Sequence, residues 1–156
     1  MIQLLRVDHR LLHGQVAVTW TSALRADCIF IVGDKVANDN VWRTTLKLGK
    51  PRGCKLVIKD MAHAIEAINS GVTDKYRMII CVQTLAEAKQ LVDGCPQIRS
   101  INLGNTKETP TTREVTRQIF LEESDVEMLR ELDARGIELE YRALADDSKV
   151  NVARLL

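Results

Sequence analysis

Apolar residues recur at two different spacings along this chain, and each spacing predicts a different secondary-structure element. In residues 2–5 the pattern is typical of a strand, whereas in residues 16–24 apolar residues recur at helical spacing. Residues 28–32 are continuously apolar up to Gly33, which indicates a strand buried on both faces and therefore a parallel sheet. The chain thus begins as strand, helix and buried strand.

The same two patterns continue to the end of the chain. We predict a helix capped by Asp34 and reaching about Leu48, then a strand at 54–58, a helix at 61–70 closed by Gly71, a strand at 78–82, and a helix opened by a Thr84–Glu87 capping box. After these we predict a strand at 98–103 ending at Gly104, an antiparallel neighbour at 116–121, a helix opened by a Ser124–Glu127 capping box and ended by Gly136, an edge strand at 137–141, and a last helix at 146–156.

This alternation of strands and helices predicts an α/β fold, with an open, twisted, mostly parallel seven-stranded sheet covered by helices on both faces. We expect residues 1–156 to form one domain. Ligands of such sheets bind beyond the carboxyl ends of the strands. That rule gathers four turns onto one edge: residues 8–15, 33–34, 83–84 and 102–105.

The first of these turns contains the strongest candidate chemistry. His13 falls between the first strand and the first helix, where unpaired helix N–H groups attract anions. With Arg10 three residues upstream, an imidazole there is a nucleophile in an anion site, which suits the carrying of a phosphoryl group. Gly14 and Gln15 can supply backbone amides, and Asp8 can orient either Arg10 or a ring N–H of His13.

Each candidate also has a purely structural interpretation. Asp8 and Arg10 can form an ordinary surface pair, and His9 can be a solvated bystander. Gln83 and Thr84 suit helix capping better than substrate contact. Asn102 and Gly104 end a strand, which fits either a turn or a loop facing a phosphate.

Composition removes several other classes of function. With 22 Lys and Arg against 21 Asp and Glu, and few aromatics, the chain offers no electrostatic reason to bind nucleic acid. The four cysteines are far apart, which predicts small buried residues kept reduced, and no apolar run is long enough for a leader or a membrane span, so we expect a cytoplasmic protein. Neither phosphate-binding glycine motif occurs, and we expect no cofactor.

The run Val7-Asp8-His9-Arg10-Leu11-Leu12-His13-Gly14-Gln15-Val16 resembles the D-x-R-L-[IL]-H-G-Q-V motif of a known family. This family comprises the IIB components of bacterial phosphotransferase systems of the mannose/fructose/sorbose type. Similar segments occur along most of the chain, at Trp20, 31–39, 101–104 and 132–140.

The resemblance implies that His13 takes phosphate on Nδ1 from the phosphohistidine of a IIA protein or domain and passes it to a sugar. The sugar is imported by membrane IIC and IID subunits, which implies peripheral association with that permease. The family fold is a seven-stranded open sheet with helices on both faces, which agrees with the fold predicted from the pattern.

Two positions depart from the family pattern. Many relatives have two glycines where this chain has Gly104-Asn105, and an acid where it has His9. The departure at Asn105 leaves open a regulatory domain of the same fold that does not transfer phosphate. A histidine-based metal hydrolase also stays open, because Asp8, His9 and His13 resemble a partial set of metal ligands.

Overall fold

The computed structural model describes residues 1–156, whose strands and helices alternate for most of the chain. The strands are β1 (Ile2–Asp8), β2 (Cys28–Val32), β3 (Lys55–Lys59), β4 (Met78–Val82), β5 (Ser100–Asn105), β6 (Arg113–Thr116), β7 (Ile119–Leu121), β8 (Glu138–Tyr141) and β9 (Val150–Asn151). The helices are α1 (Gly14–Leu24), α2 (Asp34–Ala37), α3 (Asn40–Leu48), α4 (Met61–Ser70), α5 (Leu85–Gly94) and α6 (Glu123–Ala134), followed by a 3-10 helix, Val152–Leu155.

Seven of the strands form one twisted sheet in the order β3-β2-β4-β1-β5-β8-β9. Every neighbouring pair is parallel except β8 and β9. The seven-stranded, mostly parallel sheet predicted from the sequence is therefore confirmed. Because β1 lies in the middle, between β4 and β5, the turn that follows it opens at the centre of the carboxyl edge.

Helices cover both faces of the sheet, as predicted. A core of 27 buried residues joins one face to α4, α5 and α6, while a core of 11 joins the other face to α1, α2 and α3. Every residue of β2 and β4 is buried, because each strand has a neighbour on both sides and helices above and below. The sheet is thus the rigid support on which the turns are mounted.

The single helix predicted from Asp34 to Leu48 is wrong, because the segment divides into α2 and α3. Asp39 begins the second piece by accepting a hydrogen bond from the Trp42 N–H at 3.0 Å. Asp34 is the first residue of α2 rather than its cap, and its side chain accepts from the Met61 N–H at 2.9 Å. The Asp39 cap therefore starts a new helix inside the segment for which one continuous helix was predicted.

The strand predicted at 116–121 is also wrong in its pairing. The segment contributes to a separate antiparallel hairpin, β6–β7, which packs beyond the end of the main sheet. Thr106 fastens the hairpin, since its hydroxyl donates to the Phe120 carbonyl at 2.8 Å and accepts from the Phe120 N–H at 2.7 Å. The place beside β5 is taken by β8.

The end of the chain differs from the predicted helix at 146–156. Residues 150–151 instead form β9, which makes β9 rather than β8 the sheet edge, and Asn151 then caps the 3-10 helix by accepting from the Ala153 N–H at 3.0 Å. Helix α6 also starts earlier than predicted, because Glu122 and Asp125, rather than Ser124 and Glu127, form its capping box.

Two smaller predictions concern cysteines and membrane segments. All four cysteines are buried free thiols, so the prediction of small buried residues is confirmed. The helices of the protein are too short or too polar for any of them to cross a bilayer.

Candidate functional site

The chain reverses immediately after β1 in a tight turn. The Leu11 N–H donates to the Asp8 carbonyl at 2.8 Å, which closes the turn. Leu11 has a φ of 62°, a left-handed conformation that costs a branched residue about 1–2 kcal/mol. Its side chain is completely buried in the core under α1, so packing holds the strained backbone in place.

His13 is the N-cap residue of α1, as the sequence predicts. Its backbone is extended, at φ −146° and ψ 157°, and its side chain makes no capping hydrogen bond. The N–H groups of Gly14, Gln15 and Val16 have no intrahelical partner, as in the first turn of any helix, and no acidic residue belongs to that turn. The half-buried imidazole therefore lies at the positive end of a helix.

Gly14 is the residue that lets this geometry form. Its φ is 52°, a conformation that is costly for a residue with a Cβ, and no atom lies within 4 Å of the position that a Cβ would take. Its importance is therefore conformational, and the space above it is open to an approaching molecule.

Beneath the turn lies Arg6, a residue that the sequence analysis did not select. Its side chain is only 2% exposed. Nη1 donates to Asn102 Oδ1 at 2.9 Å and to the Arg142 carbonyl at 3.0 Å, while Nη2 donates to Asp8 Oδ2 at 3.2 Å and to the Ala143 carbonyl at 3.0 Å. The available signal was a charged residue inside a central strand, which must have partners if it is buried.

Two guanidinium groups stack on Trp20. Arg6 Cζ lies 5.3 Å and Arg142 Cζ 5.0 Å from the indole centroid, within cation–π range. Arg142 is held in turn by the buried Glu140 through hydrogen bonds of 2.7 and 2.8 Å. The segment after β8 is thereby attached to α1 and β1.

Asp8 contacts the backbone of Arg10 rather than its side chain or His13. Its Oδ1 accepts from the Arg10 N–H at 3.0 Å, and its Oδ2 pairs with Arg6. The alternative of an ordinary Asp8–Arg10 surface pair is therefore not observed, since Asp8 is buried and its charge is matched by Arg6. The Arg10 guanidinium is exposed, makes no hydrogen bond or ion pair, and is free to bind an anion.

Asn102 and Gly104 support the site from β5. Asn102 is 1% exposed, and its side-chain amide is used by Arg6 and by the Arg142 carbonyl. Gly104 is the point where β5 shifts its register against β1, and the Arg6 guanidinium packs directly on it. Both residues therefore act on the site through Arg6.

A cleft of about 410 Å³ opens beside His13. It is walled by the turn after β1, the end of β5, the tip of the β6–β7 hairpin and the segment after β8, with these residues lining it: Arg6, Asp8, Arg10, His13, Val16, Gly104, Asn105, Gln118, Tyr141, Ala143, Leu144 and Asp147. The Tyr141 hydroxyl donates to the side-chain carbonyl of Gln118, which ties the hairpin to β8. Gln118 and Asp147 come from segments whose structure differs from the prediction, whereas Tyr141 lies in the strand predicted at 137–141.

Gln83 and Thr84 lie on a different cleft, of about 480 Å³, which also contains His9, Lys35 and Lys107. Thr84 caps α5, accepting from the Glu87 N–H at 3.2 Å, and the capping box predicted there is confirmed. Gln83 donates to the His9 carbonyl at 3.0 Å. The structure therefore assigns both residues support for neighbouring backbone rather than a place beside His13.

His9 is half-buried on this second cleft. Burial lowers its pKa, Arg10, Lys107 and His13 lower it further by charge repulsion, and Asp8 opposes the shift. The lowered pKa favours the neutral imidazole, so His9 adds less positive charge to the turn than its sequence position suggests.

A metal site would need several ligands in one place. No group of three or more His, Cys, Asp or Glu side chains is arranged to hold a metal ion. The three candidate metal ligands, Asp8, His9 and His13, do not point to one place, because Asp8 pairs with Arg6 and His9 lines the second cleft. The metal-hydrolase alternative therefore gains no ligand set from the structure.

Comparison with known proteins identifies the family to which this chain belongs. Residues 2–156 match the family described as PTS system sorbose subfamily IIB component. The chain belongs to this family, which confirms the resemblance of the His13 motif to the mannose/fructose/sorbose type.

Individual relatives agree with this assignment. The chain is 33% identical over 156 residues to the mannose-specific EIIAB component of Escherichia coli K12, covering 100% of this chain and 48% of that protein. It is 30% identical over 151 residues to the sorbose-specific EIIB component of Klebsiella pneumoniae, covering 97% and 92%. The chain thus spans about half the length of the first of these relatives and nearly all of the second.

Solved structures show the same fold. The IIBSor domain of the sorbose permease from Klebsiella pneumoniae superposes with a TM-score of 0.94 at 30% identity, over 99% of this chain and 95% of that one. The N-acetylgalactosamine-specific IIB component 1 from Escherichia coli gives a TM-score of 0.88 at 26% identity, over 96% and 97%.

Proposed function

We propose that residues 1–156 form a single IIB phosphocarrier domain in which His13 carries the phosphoryl group. The donor is a phosphohistidine of a IIA protein or domain, and the acceptor is a sugar imported by membrane IIC and IID subunits. The protein works in the cytoplasm, docked on that permease. The observation that supports this most directly is the unpartnered His13 imidazole at the N-terminus of α1, in one cleft with the free guanidinium of Arg10.

The chemistry requires few groups. A ring nitrogen of neutral His13 attacks phosphorus with its lone pair while the N–P bond of the donor histidine breaks and the donor nitrogen recovers its pair. The proton on the other nitrogen of the His13 ring is released, and the donor ring takes up one proton, so both rings stay neutral. The resemblance to the family implies that Nδ1 is the attacking atom. In the second step the hydroxyl oxygen of the sugar attacks phosphorus, and the His13 N–P bond breaks with its electron pair returning to the ring nitrogen. The hydroxyl loses one proton and the His13 ring gains one, which restores neutral His13.

Positive charge on the protein favours both steps. Phosphoryl transfer passes through a loose transition state, so catalysis consists mainly of alignment and of stabilising the equatorial oxygens. The Arg10 guanidinium can donate to two of these oxygens, and the unpaired amides of Gly14, Gln15 and Val16 can donate to the phosphoryl group carried on the preceding residue. Open space above Gly14 permits approach of the donor.

The test is phosphorylation by labelled phosphoenolpyruvate, the general phosphotransferase components and a IIA of this family. We expect an acid-labile label on the parent protein, mapped to His13, and no label on His13→Ala. His63→Ala is the matched control, because His63 is exposed and paired only with Asp60 on α4. If His13→Ala is labelled as heavily as the parent, the proposal is wrong.

Discharge separates the transfer proposal from the regulatory alternative. Labelled protein is mixed with membranes that contain the cognate IIC and IID subunits and with a candidate sugar. Loss of label from His13 together with formation of a sugar phosphate supports the carrier. A stable label in the presence of each sugar that the permease imports would indicate a regulatory domain instead.

A further inference from the structure

One guanidinium joins the strands and segments that surround the His13 cleft. Arg6 binds Asp8 at the end of its own strand, Asn102 on β5, and the carbonyls of Arg142 and Ala143 after β8. These partners lie up to 137 residues away in sequence. No other residue of the cleft connects its walls in this way.

We propose that Arg6 is a positioning residue for phosphoryl transfer, which fixes Asp8 and, through Asp8, the Arg10 amide and the strained turn that precedes His13. The proposal rests on the function proposed for His13. It assigns Arg6 no contact with the phosphoryl group.

The hydrogen bonds of Arg6 indicate that it supports the site from within the protein. A guanidinium has five N–H groups: the four on its terminal nitrogens are all used, and the fifth, on Nε, is buried without a partner. Turning one of them to a phosphoryl oxygen would leave a buried acceptor unpaired. At 2% exposure Arg6 is also covered by the turn, so the exposed Arg10 is the guanidinium that an arriving phosphoryl group meets.

Asp8 transmits the position of Arg6 to the turn. Its two oxygens have different partners, the Arg10 N–H at 3.0 Å and Arg6 Nη2 at 3.2 Å. Asp8 is 3% exposed, so without Arg6 its charge would be buried and unpaired. The carboxylate would then turn away from its present position toward water, and the Arg10 N–H would lose its acceptor.

The site requires the shape of arginine as well as its charge. A planar fork reaches acceptors on three segments at once, and its face stacks on Trp20. Lysine offers three N–H groups on a point charge and cannot occupy all four acceptor positions. Arg6→Lys is therefore expected to lose most of the positioning effect, although it preserves the charge.

The experiment compares Arg6→Lys, Arg6→Met and Leu129→Ala with the parent. Leu129 is fully buried in the core on the opposite face of the sheet, so its truncation destabilises the protein without touching the turn. We expect the single-turnover rate of His13 labelling at saturating phosphorylated IIA to fall on the order of tenfold to a hundredfold in both Arg6 variants. The apparent KM for IIA should change little, and Leu129→Ala should keep the parental rate.

Backbone hydrogen exchange gives a second readout that needs no donor protein. The amides of His9 and Leu11 are bonded to the Asn105 and Asp8 carbonyls and report on the turn directly. We expect faster exchange at these two amides in the Arg6 variants, but not in Leu129→Ala. Asp8→Asn is the companion variant if Arg6→Met does not fold, since it keeps an acceptor for the Arg10 N–H and removes the ion pair.

The outcomes separate the two proposals. If the Arg6 variants keep both the saturating rate and the exchange pattern of the parent, Arg6 is only a structural residue and the inference is overturned. If the rate falls but Leu129→Ala falls equally, general destabilisation explains the loss and the inference is also overturned. If the parent itself is never labelled at His13, the proposed function fails, and hydrogen exchange alone decides whether Arg6 holds the turn.

Discussion

The Arg6 guanidinium lies so close to Gly104 that a Cβ on residue 104 would be 2.1 Å from Arg6 Cζ. No side chain fits there without displacing the guanidinium from its partners. The glycine at position 104, near the end of β5, is thus explained by close approach inside the protein, and the sequence interpretation of Gly104 as part of a loop facing phosphate is not needed to account for it.

Gly104→Ala is therefore expected to be costly. Overpacking of a buried site of this kind lowers the free energy of unfolding by about 1–3 kcal/mol, and displaced Arg6 should also slow labelling of His13. Denaturant titration measures the first effect and single-turnover labelling the second. Gly49→Ala is the control, because its Cβ would meet no atom closer than 3.8 Å, and parental behaviour of Gly104→Ala would contradict the packing argument.

Arg10→Ala should slow phosphoryl transfer with little effect on the stability of the protein. The Arg10 guanidinium is exposed and unpartnered, so Arg10→Ala should change the free energy of unfolding by less than about 0.5 kcal/mol. Loss of a charge-assisted donor of about 1.5–3 kcal/mol would slow phosphoryl transfer on the order of tenfold to a hundredfold. Single-turnover labelling beside a denaturant titration checks both. An unchanged rate would remove Arg10 from the phosphoryl site.

The sequence predicted the local parts of this arrangement well. Continuous apolar runs identified β2 and β4, and the strand-to-helix turn placed His13 at the start of α1, because both depend on neighbours in sequence. Arg6 escaped notice because its partners Asn102 and Arg142 are 96 and 136 residues away, and strand pairing decides which residues meet.

The misplaced elements have the same physical origin. The 116–121 segment has strand character, yet Thr106 and β8 decide that it joins a hairpin instead of β5. Residues 150–151 become β9 because the exposed edge of β8 offers unpaired backbone groups. Which segments pair with each other depends on the three-dimensional fold and not on the spacing of apolar residues. The sequence pattern therefore could not show that Gln118, Tyr141 and Asp147 line the His13 cleft.

The pH dependence of stability should contain a contribution from His9. Its pKa is lowered in the folded protein, so the unfolded chain binds the proton more readily as pH falls. Stability linked to His9 is therefore fully present above the unfolded pKa of 6.5 and decreases as pH falls below that value toward the folded pKa. His9→Gln should lose less stability than the parent between pH 7 and pH 5.5 in parallel denaturant titrations.

The same proton can be followed by NMR. Lys107→Ala removes one of the charges that lower the pKa of His9, so the His9 titration midpoint should move upward. Phosphorylation of His13 should move it upward too, because it adds negative charge nearby. A midpoint that does not respond to either change would show that His9 is electrostatically separate from the turn.

The cysteines should be unreactive while the protein is folded. Burial raises the pKa of Cys28 to about 11 and raises that of the completely buried Cys81 further still. The Cys54 thiol also donates a hydrogen bond to the Ala26 carbonyl, with a sulfur–oxygen distance of 3.2 Å. A thiol-specific disulfide reagent at pH 8 should react with no cysteine in native protein and with all four in guanidinium chloride. Rapid labelling of native protein would contradict this.

Thr84→Ala tests whether the second cleft takes part in transfer. The Thr84 hydroxyl is fully used in the α5 capping box with Glu87, and Thr84 does not line the His13 cleft. We expect a loss of about 1 kcal/mol in the free energy of unfolding with no change in the labelling rate, whereas Thr84→Ser should keep the cap and most of the stability. If labelling slows in Thr84→Ala under conditions where the protein is fully folded, residues of the second cleft take part in phosphoryl transfer.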